Sequence, residues 1–240
     1  MKKGKMITVK VNKGGIGKTT ISTWLAHGLA ELGYKTLLLT SDSQNNILDI
    51  TFKEEQKPLY SSGLKNWVTK GNGDIINIRK NLNFIPLENS IFSNNFLKKL
   101  PLFLEKLKED YDFIINDSIP TIKLDKEFVN SSDKLIIPAF CDRSTVEGIL
   151  NVIDEAGIDK IFAILVNKYE NTETQKKYYK QLKEVLDNTN IIFPNPIPNK
   201  SQISKLIDQG KTIWESKSQQ VQDIQDTLTT ILYELIHGGK

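Results

Sequence analysis

The stretch Lys13-Gly14-Gly15-Ile16-Gly17-Lys18-Thr19-Thr20 decides how the rest of the chain is read. An apolar, strand-like run at residues 6–11 precedes it, and a helix-like run at 19–32 follows. Three glycines in four positions let successive backbone N–H groups turn inward around a polyphosphate. The helix that follows adds the positive end of its dipole at the same point. In that geometry Lys18 reaches the β- and γ-phosphates, and the Thr19 hydroxyl takes a place on Mg²⁺. The ordinary phosphate loop carries a further glycine five residues before Gly17, where this chain has Asn12, and it has a second lysine, Lys13, at the front of the loop.

Reading outward, six apolar, β-rich runs recur at 6–11, 35–40, 83–87, 112–117, 134–140 and 160–167, with a shorter one at 190–193. Continuously apolar runs suit strands covered on both faces. Their alternation with helical stretches predicts an α/β fold, a doubly wound and mostly parallel sheet flanked by helices. Ligands in such sheets bind beyond the carboxyl ends of the strands. The run at 112–117 closes on Asp117, where a strand-end carboxylate can hold Mg²⁺ through a water while apolar neighbours keep the site dry. The first helix places Ile21, Leu25, Ala26, Leu29 and Leu32 on one stripe and stops at Gly33. His27 within it reads as a packing or surface residue. Between 50 and 83 the pattern weakens into a helix and variable loops around Gly71-Asn72-Gly73. Further helices are expected at 172–187, 201–209 and 216–236, the last ending at Gly238-Gly239.

At 240 residues, 39% hydrophobic and 25% charged, the chain has the make-up of an ordinary globular protein with a substantial core. Its even composition favours one domain, 1–240. A net charge of +3 does not make it a polycation, so nucleic-acid binding would need a local patch or a dimer that doubles one. Cys141 is the only cysteine, which excludes an internal disulfide and a thiolate-built metal site within one chain. No run approaches the roughly 18 apolar residues that span a bilayer. These features predict a cytoplasmic protein.

Lys-Gly-Gly-x-Gly-Lys-Thr-Thr resembles the deviant Walker A box of the ParA/MinD ATPases, phosphate-loop enzymes that bind ATP or ADP with Mg²⁺. The resemblance implies that Lys13 crosses a dimer interface to the partner's nucleotide. Loop residues 13–20 are then nucleotide contacts, with Lys13 and Lys18 also catalytic. The segment Thr40-Ser41-Asp42-Ser43-Gln44 is similar to the family's Asp-x-Asp-Pro-Gln, which aligns Asp42 with the second aspartate. That role positions or deprotonates the attacking water, close to the metal. Thr40 and Ser43 depart from the pattern, replacing the first aspartate and the proline. Asp117-Ser118-Ile119-Pro120 resembles the family's Asp-Thr-x-Pro, which makes it the second switch. Residues 144–148 match the start of a dimer-face helix. Asn167 matches a position that recognises the adenine edge, and Ile197-Pro198-Asn199 matches the loop over the base.

Within this family the last helix separates branches. Its stripe of Ile224, Leu228, Ile231, Leu232 and Leu235 carries Asp223, Asp226 and Glu234 rather than lysines, unlike a membrane-docking helix. The first strand starts at residue 6, leaving no room ahead of it for a helix-turn-helix. The resemblance therefore implies a small ParA-type partition ATPase. ATP would close a homodimer that binds DNA without sequence preference, making the protein nucleoid-associated in that state. A ParB-like centromere-binding partner would stimulate hydrolysis and release. Lys200, Lys205, Lys211 and Lys217 are the candidate DNA-phosphate contacts. Two other readings remain open. One is a non-hydrolytic ATP-gated scaffold or repressor, suggested by Thr40 and Ser43, and the other is a MinD-like membrane-positioning ATPase.

Overall fold

The computed structural model describes residues 3–11, 13–119 and 122–238. Asn12, Pro120 and Gly239 lie outside the described residues. Among those described, seven strands form one sheet: β1 (Lys5–Val9), β2 (Thr36–Thr40), β3 (Ile76–Arg79), β4 (Leu82–Phe84), β5 (Phe113–Asp117), β6 (Lys134–Ala139) and β7 (Ile161–Val166). Their spatial order is β3-β4-β2-β5-β1-β6-β7, parallel throughout except for β3 against β4. The helices are α1 (Lys18–Glu31), α2 (Ile47–Thr51), α3 (Leu64–Lys70), α4 (Asn94–Asp110), α5 (Ile122–Ser131), α6 (Arg143–Ala156), α7 (Glu173–Leu186), α8 (Ser201–Asp208) and α9 (Gln222–His237).

The strands are apolar on both sides because helices cover both sides. Successive side chains point to opposite faces of a strand, so Leu38 joins the cluster under α1, α8 and α9 while Leu37 and Leu39 join the one under α3, α4 and α5. All three leucines are fully buried, and each contributes roughly 2 kcal/mol through lost water contact. A third cluster packs α6 and α7 on β6 and β7. β1 lies between β5 and β6, so the chain winds away from it in both directions. Its carboxyl end is the topological switch point, where ligands bind in open parallel sheets. No helix among the described residues is long and apolar enough to cross a membrane.

Several details differ from the pattern in the sequence. The run at 190–193 is not a strand, because only Ile192 bridges to Ala163. The weak region contains β3, which the alternation hides because it is an edge strand of four residues. It hairpins onto β4 through Asn81 in the left-handed conformation, φ 61°. Past β4, Ile85 still donates its N–H to Leu38 O at 3.2 Å and Leu87 donates to Asn45 Oδ1 at 2.8 Å, and both stay buried. The final helix starts at Gln222 rather than 216, after a short 3₁₀ turn at Gln219–Val221 capped by the Ser218 hydroxyl.

Candidate functional site

The loop between β1 and α1 passes over the carboxyl ends of β1 and β5. Gly17 stands at the N-cap of α1 with φ 88°, and no side chain caps that helix. The first-turn N–H groups of α1 therefore face the loop's concavity uncovered by a capping oxygen. A Cβ at Gly17 would come within 2.5 Å of Asn167 Nδ2, so glycine is required by conformation and by space. Gly15 is also left-handed, φ 72°.

Inside the loop the charged groups are buried and incompletely paired. Thr19 Oγ1 donates to Asp117 Oδ2 at 2.8 Å, joining α1 to β5. Asp117 is 1% exposed, and its second oxygen, Oδ1, has no hydrogen-bond partner. Burial pushes the Asp117 carboxyl up to about 6; the Thr19 hydrogen bond, the Lys18 charge and the nearby Ser22 hydroxyl, which falls short of hydrogen-bond geometry, oppose this, and Asp42 adds to it. Lys18 Nζ donates to the loop's own Lys13 carbonyl at 3.0 Å. Burial holds its ammonium below the usual lysine value, against the pull of Asp117, Asp125 and Asp42. A base lowered beside an acid raised is a pair in which each charge lacks solvation.

Asp42 is half-buried at the end of β2. Its Oδ1 accepts from Gln44 N at 2.9 Å, and its own N–H donates to Thr40 Oγ1 at 3.0 Å. The Thr40 hydroxyl lies 3.3 Å from the Asp117 carbonyl. Thr40 thus ties β2 to β5 at the site, a structural use for a residue that departs from the family pattern. Ser43 Oγ contacts Ser90 Oγ at 2.8 Å. Asn45, in the left-handed region at φ 51°, donates to Leu87 O and Tyr60 Oη and accepts from Leu87 N, anchoring the whole turn.

Lys13 folds back onto its own chain. Its Nζ donates to Asp142 Oδ2 at 2.6 Å and Ser144 Oγ at 2.7 Å, and lies 5.2 Å from the centre of the Phe140 ring. Asp142 is also the N-cap of α6, accepting from Thr145 N at 2.9 Å. Although partial burial opposes it, hydrogen bonding from Lys13, Ser144 and Thr145 brings the Asp142 carboxyl down to about 2.

The expected base-binding residues are distributed unevenly. Asn167 sits against the loop, its Nδ2 donating to Ile16 O at 2.7 Å, which leaves one amide N–H and Oδ1 for further contacts. Ile197 does not present its side chain at the site. It is fully buried in the core under α1, because its backbone pairs with Val166 and Tyr169. Pro198 bridges to Tyr169, and the Asn199 amide donates to Glu170 at 2.7 Å. Of the four C-terminal lysines, Lys200 is ion-paired with Asp223 at 2.6 Å, while Lys205, Lys211 and Lys217 are exposed. Lys168 was not legible as a site residue. Left-handed at φ 54°, it donates to Gly15 O at 2.9 Å.

A parallel sheet whose switch-point strand feeds a glycine loop and a helix, with an aspartate at the end of the adjacent strand, is the phosphate-loop nucleotide-binding architecture. Residues 4–163 match the model of an AAA-domain family. The sporulation initiation inhibitor Soj of Bacillus subtilis is 30% identical over 190 residues, 71% of this chain and 69% of Soj. A plasmid partition protein of Borrelia burgdorferi, solved with AMPPNP, superposes with a TM-score of 0.73 at 22% identity, covering 97% of this chain and 100% of that one. Pyrococcus horikoshii MinD, solved with Mg-ADP, gives 0.73 at 19% identity, covering 98% and 96%. The chain belongs to the ParA/MinD-type deviant Walker A family of ATPases.

Proposed function

We propose that the chain is a Mg²⁺- and ATP-dependent DNA partition switch. In this reading ATP closes two copies face to face, the dimer holds DNA without sequence preference, and a ParB-like partner triggers hydrolysis and release. The observation that carries the nucleotide half is the orphaned, buried Asp117 Oδ1 beside an under-solvated Lys18. Such a carboxylate fits a divalent cation, which supplies the positive charge its surroundings lack.

Lys18 exchanges the Lys13 carbonyl for the β- and γ-phosphate oxygens, where its charge is better compensated. Thr19 Oγ1 and the Asp117 carboxylate, already joined by a hydrogen bond, are the groups that would hold Mg²⁺. When bound, Mg²⁺ offsets the charge on the phosphates. Asp42 orients the attacking water and accepts its proton. Lys13 leaves Asp142 for the partner's nucleotide. The Asn167 Oδ1, held in place by the amide's bond to Ile16 O, accepts from the exocyclic amine of adenine. Exposed Lys205, Lys211 and Lys217 are the DNA-facing cations, and pairing with Asp223 removes Lys200 from that set. The likeness to a plasmid partition protein supports the DNA half.

The test is fluorescence anisotropy of a random-sequence duplex with ATP, with ADP and without nucleotide, across a salt series. Binding with ATP alone, weakened steeply by salt and lost in Lys13→Ala, is the expected result. No binding in any nucleotide state would remove the DNA half and leave an ATP-switched dimer.

A further inference from the structure

The two faces of the central strands are built differently. Under α1 the seam is apolar, with Ile7, Val9, Leu38 and Ile115 meeting Ile21, Leu25 and Leu29. Under α5 it is threaded with polar groups. Thr8 and Lys10 follow each other along β1 and just past its end, and Asn116 and Ser118 do the same on β5. All four are between 0% and 2% exposed. Facing them, Asp125 in the first turn of α5 is 4% exposed and Ser132 just past its end is 3%.

These groups form two contacts with α5. At its far end Asn116 Nδ2 donates to Thr8 Oγ1 at 3.3 Å, which lies 2.6 Å from Ser132 Oγ. At its near end one carboxylate bridges the two strands: Lys10 Nζ donates to Asp125 Oδ2, and Ser118 Oγ to Asp125 Oδ1. Ser118 is the residue after Asp117, and its N–H donates to Val9 O at 3.2 Å. Asp125 therefore grips the chain on both sides of the site, at the strand that feeds the phosphate loop and at the strand that ends in Asp117. An apolar helix face tolerates small slides, whereas a buried, hydrogen-bonded ion pair specifies one register and disfavours intermediate ones. Asp125 also supports the Lys18 charge from behind the loop.

We infer that Asp125, held by Lys10 and Ser118, is a positioning residue that fixes how Asp117 is presented to the metal. This rests on the Mg²⁺-nucleotide reading of the site. A shift of the first turn of α5 pulls Ser118, and with it the adjacent carboxylate. The seam makes α5 the element through which events at the second switch alter metal binding.

The experiment compares the parent, Ser118→Ala and the double variant Lys10→Met/Asp125→Leu. Mn²⁺ affinity is read by electron paramagnetic resonance with ADP present, alongside thermal melting and the kcat and KM of ATP turnover. Replacing both buried charges by apolar groups of similar volume preserves melting. Mn²⁺ binding nonetheless weakens by about tenfold, as for lost support of a metal ligand, with kcat falling and the KM for ATP little changed. Ser118→Ala, which keeps the Lys10–Asp125 pair, weakens Mn²⁺ binding by about threefold, the size of one hydrogen bond. Parent-like Mn²⁺ affinity in Ser118→Ala, or in a double variant that melts like the parent, overturns the inference. A parent that binds no Mn²⁺ with ADP overturns the underlying reading instead, before any variant is made.

Discussion

Two buried lysines at opposite edges of the sheet meet opposite fates. At the amino-terminal edge Lys108 is 5% exposed, and it donates to Glu105 and Asp133 at 2.9 and 3.0 Å and to Ser131 O at 3.2 Å. Burial alone would lower its ammonium, yet the hydrogen bonds to Glu105 and Asp133 carry it above the ordinary lysine value. At the carboxyl edge Lys18 is 9% exposed, and its nearest partner is a carbonyl of its own loop. There burial wins, the lysine falls, and Asp117 opposite it rises to about 6. The first arrangement is self-sufficient. The second is complete only when something charged arrives, and perturbed groups concentrate where that happens.

Removing the unmet charge tests this contrast with the largest expected effect. Asp117→Asn keeps an acceptor for Thr19 and deletes the costly carboxylate. A carboxyl raised to about 6 is a penalty absent below the unfolded value near 4, growing between the two and complete above 6. Urea unfolding of the nucleotide-free variant is expected to show a gain of about 3 kcal/mol at pH 7.5 and about half that at pH 5. The same substitution abolishes Mg²⁺-dependent nucleotide binding.

The opposite edge gives the opposite sign. Lys108→Met leaves two half-exposed carboxylates without their shared cation and is expected to cost about 1–2 kcal/mol in the same urea experiment, with nucleotide affinity unchanged.

The smallest expected effect concerns Lys13, whose partner is in its own chain. Asp142→Asn keeps an N-cap for α6, so stability should stay within about 0.5 kcal/mol of the parent. Released from its ion pair, Lys13 is freer to reach a second copy. Sedimentation velocity is expected to show half-maximal dimer at about threefold less ATP, which corresponds to one exposed ion pair. An unchanged midpoint would mean that the Lys13–Asp142 contact sets no threshold.

The legibility of the chain follows the same edge-to-edge difference. The glycine loop, the strand end at Asp117 and six of the seven strands could be read because their signals are local: glycine spacing, and apolar runs closing on a carboxylate. β3 escaped because an exposed edge strand of alternating Ile76 and Ile78 is too short to give a period. The burial of the Ile197 side chain was not legible, because it depends on a backbone pairing with Val166 that no local pattern records. Asp142 could have been found, since Asp-x-x-Thr before an apolar helical run is a capping signal. Lys10, a lysine at the end of an apolar strand, was an anomaly visible in the sequence whose partner, 115 residues away, was not.

The most direct test of the account is calorimetric titration of ATP into the parent, Lys18→Ala and Asp117→Asn, each with Mg²⁺ and with EDTA. The parent is expected to bind ATP tightly only with Mg²⁺, Lys18→Ala to lose binding in both conditions, and Asp117→Asn to lose only the Mg²⁺-dependent part. Equal ATP affinity in the parent and Asp117→Asn with Mg²⁺ present would contradict it, because the orphaned carboxylate would then have no part in holding the metal.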